Sequence, residues 1–422
     1  MKQFIDPETH FGKPRNSEYL MVFSILIISV SWVADIGNDF IQYTFYFFAV
    51  MGVFLSGRLL FHRRLLTSML AVMVITLPIL FMQNGFSEWR NQLFFANMAL
   101  AVLVTGAFRG RSAALMKSYN DILYVLTVLS LIVFPLVFVQ KGLLVDIPEF
   151  ALTEIEFKLN RSLKTLFGLS YFVTNGSNEI WRNQSVFWEP GMMAGLLVLA
   201  LMFADALGET RKRKSIFIVG ILTTFTPGGY FVLAAYLLFK LASTLSRKQL
   251  FHLILGITTI LVVYLLMPVV RDVVLYLFNR DIQNDPSVLI RSTDVWLPFW
   301  AALESPWFGR PNFEEYQLAM YMFIERERGG MTNSLGEYFY RFGIIWAVVW
   351  LAIISVSLRN FPNLAGYSFP IIMLMLVYEP IGFSPFVLML AFGGLNEKGS
   401  DSRIGIGVRW GGASVKSGGR SL

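Results

Sequence analysis

Cysteine is missing from all 422 residues, and histidine occurs three times, at His10, His62 and His252. The first absence removes disulfides, thiolate catalysis and zinc–thiolate sites together. Charge is scarce: 15% of residues are Asp, Glu, Lys or Arg, against about 25% in soluble domains. No segment repeats with a period of about 20 to 50 residues, which counts against an inverted-repeat transporter.

Apolar residues fill the space, at 55% of the chain with a mean hydropathy of +0.58. Runs long enough to cross a bilayer, roughly 17 to 25 residues, cover Tyr19–Ile36, Phe40–Ser56, Leu65–Gln83, Gln92–Phe108, Asp121–Gln140, Pro190–Ala206 and Phe251–Val269. Ser334–Leu358, Leu364–Tyr378 and Ile381–Phe392 follow. Ser215–Ser243 is interrupted by Thr226-Pro227-Gly228-Gly229 and reads as two short helices, since backbone freed at membrane depth must be buried in protein or face a wet cavity. The expected fold is an all-α polytopic membrane protein of about twelve transmembrane helices. The first span has no small-residue cleavage pattern and reads as a retained helix.

Positive charge sets the orientation. One side receives Lys2, Lys13, Arg15, Arg58, Arg63, Arg64, Arg109, Arg111, Lys117, Arg211-Lys212-Arg213-Lys214, Lys240, Arg247, Lys248, Arg359 and the basic tail, and that side is cytoplasmic by the positive-inside rule. The net charge of +7 is then an orientation signal, and no nucleic-acid partner follows from it. All three histidines fall on this side. The other side carries two long loops, Lys141–Glu189 and Val270–Asn333.

The organisation expected is a five-span bundle (1–140), a first outer loop (141–189), four spans including the broken pair (190–269), a second outer loop (270–333), C-terminal spans (334–392) and a tail (393–422). The tail is rich in Gly and Ser with scattered Lys and Arg, a composition expected to be disordered. Within the first loop, Glu154–Leu166 fits an interfacial helix or an alternating strand equally.

The second loop holds six arginines, Arg271, Arg280, Arg291, Arg310, Arg326 and Arg328, with no lysine or histidine. A planar guanidinium grips phosphate or carboxylate through two parallel hydrogen bonds, which lysine cannot do; the bland alternative is a solvated arginine-rich loop. Three short sequences join it on the outer side. Arg182–Gly191 enters a span through Glu189-Pro190-Gly191, where Glu189 is either a helix cap or a half-desolvated general base. Arg291-Ser292-Thr293-Asp294-Val295-Trp296 runs on to Pro306-Trp307-Phe308-Gly309-Arg310. Thr332–Gly343 opens a span while still carrying Glu337 and Arg341; a charge there costs about 2.5–3.5 kcal/mol at mid-membrane, so Arg341 faces protein or water, pairs with Glu337, or snorkels.

The ordered set Arg182–Gly191, Thr224–Tyr230, Arg291–Gly309 and Thr332–Gly343 resembles the superfamily of O-antigen ligases and Wzy-type polysaccharide polymerases. The similarity covers residues from about 180 to 345 and the overall hydropathy. It implies a glycosyltransferase-C-like bundle in the bacterial inner membrane, both termini cytoplasmic. The implied reaction is an inverting, metal-independent glycosyl transfer on the periplasmic face, needing no cofactor. A glycan on undecaprenyl diphosphate is the donor and a second lipid-linked oligosaccharide the acceptor; a chain-length regulator and a flippase are implied partners, alongside the bilayer. Ligases of this kind carry a histidine before the motif asparagine, where this chain has Thr332, which favours the polymerase branch.

The chemistry fits these residues independently. Breaking a sugar–diphosphate bond builds negative charge on the leaving group, and fixed guanidiniums in a water-poor cleft stabilise it. No Asp-x-Asp cluster appears in the outer loops, so a metal site is not demanded. Arg182, Arg291 and Arg341 are the expected diphosphate ligands, with Arg310 and Arg280 accessory. Arg291 carries the catalytic charge, Glu189 is the first candidate base and Glu337 the second. Asn333 orients substrate or caps a helix. Gly228 and Gly229 permit the break and aim backbone N–H groups at phosphate. The alternatives are an O-antigen ligase and a lipid-linked oligosaccharide flippase or transporter; transporters need charge near the midplane, whereas here it gathers at the outer mouth.

The absence of native cysteine makes the topology directly testable. A Trp300→Cys variant in intact cells should react with a membrane-impermeant maleimide from outside, and labelling from the cytoplasm alone overturns the orientation.

Overall fold

The computed structural model describes residues 13–30, 39–82, 89–139, 152–157, 161–166, 169–173, 181–187, 189–246, 249, 298–300, 302–303, 305–310, 333–364, 366–379, 381–397 and 405–409. Helices dominate. They are α1 (Asn16–Val30), α2 (Asp39–Leu55), α3 (Arg63–Met82), α4 (Trp89–Ala107), α5 (Ser112–Val139), α6 (Pro190–Ala206), α7 (Arg211–Thr223), α8 (Pro227–Ala242), α9 (Ser334–Asn360), α10 (Ser368–Tyr378) and α11 (Pro385–Gly393). By length and composition, α3, residues Ser112–Pro135 of α5, and α9 are apolar enough to cross a membrane. Shorter apolar helices lie in the remaining expected spans, except that α7, opening on Arg211-Lys212-Arg213-Lys214, is not among them and Phe251–Val269 lies outside the described residues. Large apolar side chains such as Phe47, Phe81, Ile132, Phe231 and Val348 face outward, a surface that suits lipid. The architecture is compatible with a helical membrane protein.

Helix α6 lies at the centre. It is apolar on every face, and Pro190 through Ala204 are all buried, as a helix without a polar stripe must be. Gly195 of α6 accepts Met375 of α10, and Gly220 of α7 admits Leu197 of α6 and Thr127 of α5. The C-terminal helices lock onto the N-terminal ones: Asn97 of α4 donates to the Phe383 carbonyl at 3.1 Å, and the Phe386 N–H donates to Ser29 of α1 at 3.0 Å.

Two expectations need correction. The all-α class is incomplete, because the first long loop carries an antiparallel meander, β2 (Leu152–Phe157), β3 (Arg161–Leu166), β4 (Leu169–Val173) and β5 (Trp181–Ser185). Glu154–Leu166 is thus a hairpin, with Glu154 opposite Lys164 and Ile155 opposite Leu163. Nor is the stretch from residue 393 all disordered tail. Gly394–Asn396 forms a buried 3₁₀ turn, and β6 (Gly405–Arg409) pairs with β1 (Arg58–His62). Asn396 explains the docking, since its amide donates to the carbonyls of Leu60 and Thr105 while its oxygen accepts the His62 N–H. Composition misleads here because the partners are far away in sequence.

One irregularity shapes the rest. Helix α9 is broken at Gly343, whose φ is 78°, and the segment 305–310 packs into the break. The Arg310 N–H donates to the Tyr340 carbonyl at 2.6 Å and the Ile344 N–H to the Pro306 carbonyl at 2.8 Å. A Cβ at Gly343 would strike the Trp307 carbonyl. Gly343→Ala should therefore cost about 1–3 kcal/mol, read as a lower midpoint of thermal unfolding in detergent. Gly366→Ala, with open space at its Cβ, is the control that should change little.

Candidate functional site

Chain direction gives the bundle two unlike ends. At one end the basic residues meet acids: Glu18 takes Arg58 and Arg111, Glu209 takes Lys117 and Arg213, and Asp205 takes Lys214 and Lys240. His62 also sits here, buried beside Arg109 and Arg64; burial first and then those cations push its imidazole below the ordinary histidine range. Among the described residues, every histidine is thus remote from the motifs, and His10 and His252 lie outside the described set.

At the other end, the beginnings of α4, α6, α8, α9 and α11 come together. Their N-terminal N–H groups give it positive potential. Glu189 is the N-cap residue of α6, followed by Pro190, yet its side chain makes no capping hydrogen bond; its position, half-buried, fits the cap, but its carboxylate does not perform that role. Next to it, a Cβ at Gly191 would collide with Glu379 Oε1. Glycine here makes room for a carboxylate.

Glu379 ends α10 and is 3% exposed. Its carbonyl accepts the Ser334 hydroxyl at 2.5 Å, and Ser334 in turn accepts the Gly382 N–H at 2.8 Å. Asn333 caps α9, its Oδ1 accepting the Gly336 N–H at 3.0 Å, and it is 1% exposed. Its Nδ2 has no hydrogen-bond partner among the described residues. A Cβ at Gly336 would press on Pro298, and Phe299 packs on Phe339 with ring centroids 5.1 Å apart. Pro298 and Phe299 of the second long loop thus lie over the start of α9.

Arg341, two turns further in, is buried and held. Its guanidinium donates to Glu337 at 2.8 Å and to Asn91 of α4, and packs over Phe342 and Phe383 at 5.5 and 5.1 Å. The i, i+4 pairing that the sequence offers as an alternative is present. Arg310 is half-buried beside the α9 break.

The break between α7 and α8 falls at the expected place, with Phe225 at φ 46° and Pro227 opening α8. Thr226, the N-cap residue, bonds Thr224 at 2.9 Å instead of the helix. Gly228 and Gly229 are buried, and Gly229 abuts Ala194 of α6. Arg182, on β5, acts electrostatically on the Tyr230 hydroxyl. Its neighbour Asn183 plugs β5 into the bundle, donating to Ser130 and Thr223 at 3.1 Å each. Arg291 and Arg280 lie outside the described residues.

Three of these residues escape the sequence reading. Glu379 is signalled by being the single charged residue between Arg359 and Glu397; Asn91 and Asn183, whose partners lie on other elements, leave no sequence signal. No protein-family model matches this chain, and no curated protein matches it.

Arg341 and Glu337 form a buried pair, so removing one member strands the other, at about 3–5 kcal/mol. Arg341→Met should destabilise by about that amount in a detergent melt, and adding Glu337→Gln should recover part of the loss. Simple additivity would show that the two do not couple.

Proposed function

We propose that this chain is a membrane glycosyltransferase that joins undecaprenyl-diphosphate-linked oligosaccharide repeat units into a polysaccharide, an O-antigen, capsule or exopolysaccharide. The observation that carries the reading is convergence. Segments from four distant parts of the chain meet at one end of an apolar bundle: Gly191 against Glu379, Glu379 against Ser334, 305–310 against the break in α9, and Arg182 beside Tyr230.

In this reading the motif end is periplasmic and the acid-paired basic end is cytoplasmic, in a bacterial inner membrane crossed about twelve times. Arg182 and Arg291, with Arg310 accessory, bind the diphosphate and stabilise its charge as the C–O bond to the sugar breaks. Arg341 adds charge and positions the entrance of α9, because its guanidinium is already engaged by Glu337 and Asn91. Exposed Trp300 and Trp307 offer stacking faces for sugars. A ligase reading is weakened by His62, which sits at the opposite end. A transporter reading is weakened by the ionisable groups, which among the described residues gather toward the two ends of the bundle.

The test supplies purified lipid-linked repeat units to detergent-solubilised protein in EDTA. Wild type should build a glycan ladder, and Arg291→Ala and Arg182→Ala should each lower kcat by about 10²-fold or more. Unchanged ladders from both variants sink the assigned roles, and activity lost in EDTA but restored by Mg²⁺ refutes metal independence.

A further inference from the structure

Helices α3 and α9 run antiparallel, pinned where the Trp346 indole N–H donates to the Thr76 hydroxyl at 2.8 Å. From there toward the basic end they leave a groove of about 300 Å³ between them, lined by Thr67, Ser68 and Ala71 of α3, Ala352 and Val356 of α9, and Leu395 of the 3₁₀ turn. Its flanks are the outward stripes of the two helices, Leu70 and Val74 on α3, Val348 and Val356 on α9. An exposed apolar slot on such a bundle suits an acyl chain.

Both stripes end in arginine at the same level. Arg359 stands thirteen residues beyond Trp346, about 20 Å along α9, and Arg64 twelve residues before Thr76, about 18 Å along α3. Both are exposed, as is Arg63. None of the three makes an ion pair among the described residues, because the acids at this end are engaged elsewhere: Glu18 by Arg58 and Arg111, Glu209 by Lys117 and Arg213, Asp205 by Lys214 and Lys240, and Glu397 by the Ser112 N–H.

Orientation in a membrane accounts for positive charge at this end, and Arg211 and Lys212, exposed at the start of α7, serve that purpose as well. It does not account for three arginines at the open end of an apolar groove. A guanidinium holds a phosphate through two parallel hydrogen bonds, and a phospholipid needs a cationic end and an apolar slot in line. We propose that this groove binds an anionic phospholipid of the leaflet at the basic end, its phosphate held by Arg63, Arg64 and Arg359 and one acyl chain lying along Ala71 and Ala352. The site lies at the opposite end of the bundle from the motifs and does not depend on the transferase reading.

The experiment titrates the full chain in detergent with dioleoylphosphatidylglycerol, dioleoylphosphatidylcholine or inorganic phosphate and follows the midpoint of thermal unfolding. Phosphatidylglycerol should raise the midpoint saturably, and the other two should not. Arg64→Gln with Arg359→Gln should raise the half-maximal phosphatidylglycerol concentration by about 30-fold, whereas Arg211→Gln with Lys212→Gln, the same loss of charge away from the groove, should stay within about threefold. Ala352→Leu, which fills the slot, should raise it by about fivefold. No rise with phosphatidylglycerol, an equal rise with phosphatidylcholine or with phosphate alone, or equal effects of the two charge-removing pairs overturns the site. If the Arg64 and Arg359 double variant does not fold, Ala352→Leu and the wild-type preference between the two lipids still decide.

Discussion

A helix broken inside an apolar bundle must have its freed backbone groups met by protein, and at Gly343 this falls to residues 305–310. The Pro306 carbonyl and the Arg310 N–H bond α9 on either side of the break. Two glycines at positive φ, Gly309 and Gly343, let the strands of chain approach closely enough for this. Residues 305–310 are thereby pinned to α9 at its break. Arg310 and Trp307 meet α9 around Tyr340–Ile344 for a backbone reason. On the N-terminal side of the break, Arg341 is held by Glu337 and Asn91 and Asn333 caps the helix start.

The two ends of the bundle solve the charge problem differently. At the basic end, acids and bases from separate helices share partners, as when Asp205 takes Lys214, Lys240 and the Tyr236 hydroxyl. Such a network ties α6, α7 and α8 together, and its function is satisfied by pairing alone. At the motif end, Arg341 pairs with Glu337 among positive helix termini, with the Arg310 backbone bonded to α9 and Arg182 acting on Tyr230 of α8. In the proposed reading, a preorganised positive field in a water-poor setting is what a departing diphosphate requires.

How much of this the sequence discloses depends on how local each cause is. Hydropathy alone locates the helices, because a run such as Pro190–Ala206 carries its own burial signal, and Pro227-Gly228-Gly229 marks the break between α7 and α8 within a residue or two. The pairing of Glu337 with Arg341 is legible from a spacing of four. The meander β2–β5 is not, since alternation over Glu154–Leu166 serves a helix face and a strand equally until β4 and β5 supply partners. The tail misleads for the same reason: Asn396 is fixed by Leu60, His62 and Thr105, which composition cannot reveal. Glu379 resembles an ordinary turn residue until Gly191 is seen to have made room for it.

Asn333 shows why the motif end is built for more than folding. Capping α9 uses only its side-chain oxygen, and Ser or Asp caps a helix about as well as Asn. Either would avoid burying a second polar group. Asn instead brings an amide nitrogen that is buried and has no hydrogen-bond partner among the described residues, a liability of about 1–3 kcal/mol. Fold stability alone would favour a cap residue without that second polar group. That cost falls at the helix start over which Pro298 and Phe299 pack, at the end of the bundle that the proposed reading makes the site.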